Sequence, residues 1–179
     1  MVVGAAKVIS IGGVDAMSLR DLAEKAGVPF GSTYHHFPGG KAQLVDEAVR
    51  YVGAQVTELI EQAHTRGTSH VLHVFADRWR RALEASDFSA GCAVAAAAVA
   101  TDPRHQAVAR EVFADWHRAM TSALRDAGVP PKRAGRLART IVAATEGGVA
   151  LARASGSAEP LDDVVAELKD LVRSARKRN

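Results

Sequence analysis

The sequence predicts an all-α chain, and three observations carry that prediction. Apolar residues recur at three- and four-residue spacing along most of its length. No segment shows the apolar–polar alternation of a half-buried strand. Glycine and proline fall between the periodic stretches, at Gly12-Gly13, Gly27, Gly67, Pro103, Gly128 and Pro130-Pro131, where helices stop or start. These breaks delimit about nine helices. With 179 residues, 47% of them hydrophobic, the chain can bury a substantial core in one or two domains.

The first helix is expected over Gly4–Ile11, with Ala5, Val8, Ile9 and Ile11 near helical spacing. The next stretch, SLRDLAEKAGVPFGSTYHHFPGGK over residues 18–41, reads as helix, glycine turn, short helix and the start of a third. Ser18 is placed to cap the first of these, with Asp21 completing a capping-box-like pattern. Leu19, Leu22, Ala23 and Ala26 share a face; Gly27 supplies the left-handed residue that ends the helix, and Pro29 suits the entry to the next. The second helix carries Phe30, Ser32, Thr33, Tyr34, His35 and His36 and has little to bury. Such a helix is expected to face something other than the core. In a helix-turn-helix its place is the major groove of DNA, with Ser32 and Thr33 toward bases or phosphates and Tyr34, His35 and Lys41 toward phosphates.

A long helix follows from Lys41 with Leu44, Ala48, Val52, Val56 and Leu59 as its stripe. Gly67 ends it. Ser69 is positioned to cap the next helix, whose apolar face is Leu72, Phe75, Ala76, Trp79 and Leu83. After a turn at 88–91, residues 92–100 (CAVAAAAVA) are apolar on every side, which predicts a helix enclosed by others. Asp102 and Pro103 open a helix with Val108, Val112, Trp116, Met120 and Leu124 at four-residue spacing. Pro130-Pro131 opens another, with Leu137, Ala138, Ile141, Val142, Thr145, Val149 and Ala152 on one side. The last carries Leu161, Val165, Leu168 and Val172. Glu146-Gly147-Gly148 sets two glycines in a packed helix, at a cost of about 1 kcal/mol each relative to alanine. Close helix approach is a reason to tolerate them.

Bulk charge does not by itself argue for nucleic acid. The net charge is +3, yet residues 1–50 balance Lys7, Arg20, Lys25, Lys41 and Arg50 against Asp15, Asp21, Glu24, Asp46 and Glu47. The excess sits in the tail, at Arg173, Arg176, Lys177 and Arg178, where cations complement a helix C-terminus. A single cysteine, Cys92, excludes an intrachain disulfide and fits a reducing cytoplasm. No signal peptide is apparent, and the longest weakly polar run, Ala93–Ala100, is too short to span a bilayer. His70 and His73 lie one turn apart without a carboxylate or thiol at ligand spacing, and read as surface residues rather than metal ligands. Cys92 opens an apolar helix as a small hydrophobe. Neither catalysis nor a cofactor is implied.

The run Gly27–Leu44, GVPFGSTYHHFPGGKAQL, resembles the end of the DNA-binding domain of the TetR family of bacterial regulators, through Gly27, Val28, Gly31, Ser32, Tyr34, Phe37 and Lys41. That resemblance implies an N-terminal three-helix helix-turn-helix DNA-binding domain over residues 1–44 and a larger helical ligand-binding and dimerisation domain over 45–179. It implies Tyr34 and Lys41 as phosphate contacts, Phe37 as a small-core residue, and Pro29, Phe30, Ser32, Thr33 and His35, with Ser18 at the helix start, as the remaining DNA-binding set. Phe30 departs from the family pattern, which usually has lysine or arginine there. The last two helices would pair with those of a second subunit, with Ile141, Thr145, Gly148, Leu161, Val165 and Leu168 at the interface. Gly91-Cys92-Ala93-Val94 resembles one regulator subgroup. An apolar pocket is expected among Phe75, Trp79, Cys92, Trp116, Met120 and Glu146, because an alanine-rich helix beside large rings leaves space. The expected protein is therefore a cytoplasmic, homodimeric, ligand-responsive regulator, a repressor released from a pseudopalindromic double-stranded operator by a small-molecule effector, with no membrane partner. The alternative is a small-molecule-binding protein whose helix-turn-helix is vestigial; an all-α enzyme is a weaker third.

Overall fold

The computed structural model describes residues 1–176, so Lys177 and Arg178 of the basic tail lie outside the described residues. Nine α-helices and no strand are found among the described residues: α1 Val2–Gly12, α2 Leu19–Lys25, α3 Phe30–His36, α4 Gly40–His64, α5 Thr68–Glu84, α6 Ala93–Ala98, α7 Pro103–Asp126, α8 Pro131–Ser155 and α9 Glu159–Ala175. The chain divides into two compact units. The first comprises residues 1–54 with 92–113; the second comprises 55–91 with 114–179. Two continuous helices, α4 and α7, contribute to both.

In the first unit α1 packs on α6, and Ala5, Ile9, Val14, Met17, Leu19, Leu22 and Phe37 are buried. A methyl group added at Gly4 would lie 3.2 Å from Leu22 Cδ2, so α1 meets α2 as the spacing predicted. The first half of α4 is tied to the first half of α7 along one seam. Asp46 Oδ1 lies 2.6 Å from Nδ1 of the buried His105, and Arg50 donates to Glu111 at 2.6 Å. One further turn along, a Cβ on Gly53 would sit 2.6 Å from Val112 Cγ1, so the two backbones approach as closely as glycine allows. Asp46, Arg50 and Gly53 are spaced to face one way on a helix.

The second unit packs α8 on α9 and α5 on both. Leu72, Phe75, Ala76, Trp79 and Leu83 are buried on α5, and Leu137, Ala138, Ile141, Val142, Thr145, Val149 and Ala152 on α8, as their periodicity predicted. Arg80 of α5 pairs with Asp162 of α9, and its pKa is raised, chiefly by that hydrogen bond.

Four local expectations are corrected. Ile60, rather than Leu59, continues the buried stripe of α4, because the helix runs straight through to His64 and its 3.6-residue period rotates Leu59 off the face. Ser69 does not cap α5; Gly67, at φ +89°, occupies the N-cap position, and the helix starts at Thr68. Residues 92–100 form only a six-residue helix, partly open to solvent, and Val99 beyond it is 83% exposed. Alanine run composition gives no face to bury, so the neighbours on either side decide the outcome. The fourth concerns Ile141, Thr145, Gly148, Leu161 and Leu168, which are buried within the single chain. A Cβ on Gly148 would meet Leu161 Cδ1 at 3.2 Å and its Cα at 3.4 Å, so this glycine serves α8–α9 packing inside one subunit. Buried side chains have no surface left to offer a partner, and Val165 is only half-buried.

Candidate nucleic-acid interface

The geometry of α2, the turn and α3 follows from a few residues. Ser18 is extended and its hydroxyl accepts the Asp21 N–H at 3.3 Å, which fixes the start of α2. At the far end Gly27 takes φ +65°, and the Val28 N–H returns to the Ala23 carbonyl at 3.0 Å. A residue with a Cβ is strained in that conformation, which is why glycine ends this helix. Pro29, at φ −57°, leads directly into α3.

On α3 the side chains divide into two faces. Thr33 is 1% exposed and its hydroxyl donates to the Phe30 carbonyl at 2.6 Å. It therefore points inward, and its expected role as a DNA contact is corrected: at helical spacing Thr33 falls on the side of Phe37, which is also buried. Ser32 is half-buried, with its hydroxyl on the Pro29 carbonyl at 2.8 Å. The outer face carries Phe30, Gly31, Tyr34 and His35, all exposed. Phe30 and Tyr34 stand one turn apart with their rings edge to face at 5.6 Å. Nothing lies within 4 Å of a Cβ position on Gly31, so the backbone there is open to close approach.

Two residues missed by the sequence reading complete the site. Arg20, on the exposed side of α2, holds its guanidinium 5.6 Å from the Phe30 ring centroid, within cation–π range. A cation from the neighbouring helix thus stands beside the aromatic at position 30. The available signal was an arginine on the polar side of α2 and an unusual aromatic at the start of α3, on either side of a tight turn. Gln43 pins the loop between α3 and α4: its Oε1 accepts the Gly39 N–H at 2.9 Å and its Nε2 donates to Glu47 Oε1 at 2.7 Å. Lys41 is exposed and donates to the Asp15 carbonyl at 3.2 Å, tying the start of α4 to the loop before α2.

This is an exposed aromatic and guanidinium array on the outer face of a helix-turn-helix, and comparison with known proteins decides its family. A sequence profile described as bacterial regulatory proteins of the tetR family matches residues 2–48, and one described as the transcriptional regulator LmrA/YxaF-like C-terminal domain matches residues 69–167. The chain belongs to the TetR family of transcriptional regulators. An HTH-type transcriptional regulator of Mycobacterium tuberculosis is 37% identical over 96% of this chain and 92% of its own length. The HTH-type transcriptional regulator LmrA of Bacillus subtilis is 25% identical over 94% of this chain and 93% of its own. In fold, the chain is similar to a TetR regulator from Legionella pneumophila, with a TM-score of 0.83 at 20% identity over 95% of this chain and 94% of that one. These relatives are regulators rather than enzymes, and the TetR chain is accordingly not an enzyme.

The remaining predicted residues of this TetR chain fall as follows. Phe75, Trp79, Trp116 and Met120 are buried in the second unit, where the Phe75–Trp116 and Trp79–Trp116 rings meet edge to face at 6.2 Å each. The indole N–H of Trp79, a residue 3% exposed, has no hydrogen-bond partner among the described residues. Glu146 is half-buried on α8. Cys92 belongs to the first unit, where its Sγ accepts the Ala95 N–H at 3.4 Å and caps α6. Among the described residues no helix is long and apolar enough to cross a membrane.

Proposed function

We propose that this regulator is a cytoplasmic homodimer that represses transcription from a pseudopalindromic operator and is released by a small, largely apolar effector. Residues 1–44 do the reading; residues 45–179 carry effector binding and dimerisation. The observation that carries the DNA half is the exposed Arg20–Phe30–Tyr34 array on the outer face of the helix-turn-helix. Ser18, Pro29, Phe30, Ser32, Tyr34, His35 and Lys41 form the contact set, joined by Arg20. Phe30 suits the methyl group of thymine, and Arg20 the O6/N7 edge of a guanine next to it. Tyr34 and Lys41 hold phosphates on either side.

Dimerisation uses the face of α8 and α9 that a single chain leaves uncovered. Ala143, Gly147, Ala150, Leu151 and Ala154 are exposed at helical spacing on α8, Leu151 by 58%, and Leu171 is exposed on α9. Nothing lies within 4 Å of a Cβ position on Gly147, so a partner helix has room to approach there. In such a dimer two reading helices enter successive major grooves about 34–36 Å apart or somewhat more. The effector is held among Phe75, Trp79, Trp116, Met120 and Glu146, and presents a hydrogen-bond acceptor to the Trp79 indole N–H, since a buried donor gains most from a partner. Its binding shifts α4 and changes the separation of the reading heads. Linkage is reciprocal, so operator DNA weakens effector binding by the same factor.

Selection from random duplexes at low salt, with Tyr34→Ala and Lys41→Ala as controls, tests the reading. A two-fold-symmetric site, lost in the controls, supports it. A folded dimer that enriches no motif would favour instead an effector-binding protein with a vestigial reading head, a reading motivated by the balanced charge of residues 1–50.

A further inference from the structure

The turn between α4 and α5 has the sequence Arg66-Gly67-Thr68-Ser69. Gly67 occupies the N-cap position of α5 at φ +89°, with no side chain capping the 17-residue helix. The N–H groups of His70 and Val71 both turn back to the Gly67 carbonyl, at 3.0 and 3.1 Å. Those of Thr68 and Ser69 have no hydrogen-bond partner among the described residues. Free N–H groups and the positive end of the helix dipole make this an anion-favouring position.

Four further observations converge on it. A cavity of about 560 Å³ opens at this turn, lined by His64, Arg66, Thr68, Ser69, Asp126 and Arg176 among others. Thr68 is 93% buried (7% exposed), and its hydroxyl has no hydrogen-bond partner among the described residues. Threonine in the first turn of a helix ordinarily bonds a nearby backbone group. Arg66 is exposed and forms no ion pair among the described residues. Arg176, from the end of α9, donates from Nε to the Ala127 carbonyl at 2.9 Å, and the rest of its N–H fork remains.

The one carboxylate among the described lining residues, Asp126, is engaged by His64 Nε2 at 2.8 Å. What is left is two guanidinium groups, two hydroxyls and two backbone N–H groups. This donor set has a surplus of N–H over acceptors and matches a tetrahedral oxyanion rather than a neutral or cationic ligand. The volume exceeds that of a bare phosphate and falls within the range of small-molecule sites.

We propose that this cavity is a binding site for the phosphate group of a small phosphate monoester, seated on the N-terminus of α5 between Arg66 and Arg176. The site shares no residue with the DNA-reading array or with the Phe75–Trp79–Trp116 cluster, so it stands or falls independently of the proposed effector reading.

The test uses the full-length protein, with melting temperature and calorimetric titration as readouts. Sodium phosphate and ribose 5-phosphate are compared with sodium chloride at matched ionic strength. Arg66→Ala and Thr68→Val are the variants. Both phosphates are expected to raise the melting temperature above the chloride control, and Arg66→Ala to weaken phosphate affinity at least tenfold. Without phosphate, Thr68→Val melts at or above the wild type, because a methyl group replaces a buried hydroxyl that lacks a partner; with phosphate, its gain is lost. Tighter binding of the ester than of inorganic phosphate identifies an ester as the occupant, and equal binding identifies free phosphate. A phosphate response no larger than that of chloride, or an unchanged affinity in Arg66→Ala, overturns the proposal. Arg66 is exposed, so this second arm does not depend on the folding of the Thr68 variant.

Discussion

Gly53→Ala is the most informative single substitution in the seam between α4 and α7. On an isolated helix it would stabilise, since alanine is favoured over glycine by about 1 kcal/mol. Here the added methyl would lie 2.6 and 2.7 Å from the two γ-carbons of Val112 and 3.2 Å from its Cβ. Valine in a helix has essentially one χ1 rotamer, so it cannot swing both methyls away. Overpacking of this kind costs about 1–3 kcal/mol, and a contact to both methyls belongs in the upper half of that range. The net expectation is a loss of about 1–2 kcal/mol, or roughly 3–6 °C in melting temperature for a chain of this size.

The decisive comparison is the same change in a Val112→Ala background. Removing the two methyls alone costs about 2 kcal/mol in lost burial and residual cavity. In that background the alanine at position 53 has room, and its helix preference reappears as a gain of up to about 1 kcal/mol. The sign of Gly53→Ala therefore reverses, with a coupling of about 2–3 kcal/mol in the double-mutant cycle. Denaturant melts of the four proteins at one protein concentration measure it. An effect of the same sign in both backgrounds would refute the close approach of α4 to α7.

Three other outcomes follow from the site and its supports. Arg20→Ala should relax base preference at one position per half-site by about 1–3 kcal/mol, whereas Lys41→Ala should weaken all duplexes alike and flatten the salt dependence by about one unit per subunit; an even loss across sequences in Arg20→Ala would show a phosphate contact only. Asp102, immediately before α7, accepts the Arg104 N–H at 2.9 Å, and the hydrogen bond from the Arg104 side chain leads in lowering its pKa from 3.8 to about 2. A lowered carboxylate stabilises above its unfolded pKa, so the stability gap to Asp102→Asn should be complete at pH 5 and close as pH falls from about 4 toward 2; a gap that does not change with pH would remove the charge from the account. In the proposed dimer, Leu151→Asp, on the exposed face of α8, should shift the protein toward an 18.9 kDa monomer in sedimentation and cost operator affinity; an unchanged dimer would move the proposed interface elsewhere.

The sequence alone determined the helix order, the start and end of α2, and nearly every buried stripe. These are local properties: a cap at Ser18, a left-handed glycine at Gly27, prolines at helix entries and a period of 3.6 residues all act within a few residues of chain. It also placed Phe75, Trp79, Trp116 and Met120 inside and Tyr34 outside.

Tertiary packing decided the rest, because it depends on which helix lies opposite. Thr33 looked like a polar contact until its neighbours closed over it and its hydroxyl found the Phe30 carbonyl. The heptad-like positions Leu161 and Leu168 read as free to meet a second subunit; both are buried within their own chain, Leu161 against Gly148 of α8. Arg20 meets an aromatic partner only in the fold, where it stands over Phe30. A stripe shows that a face must be covered; only the fold shows by what, and hence which residues remain exposed to meet DNA, a ligand or a partner.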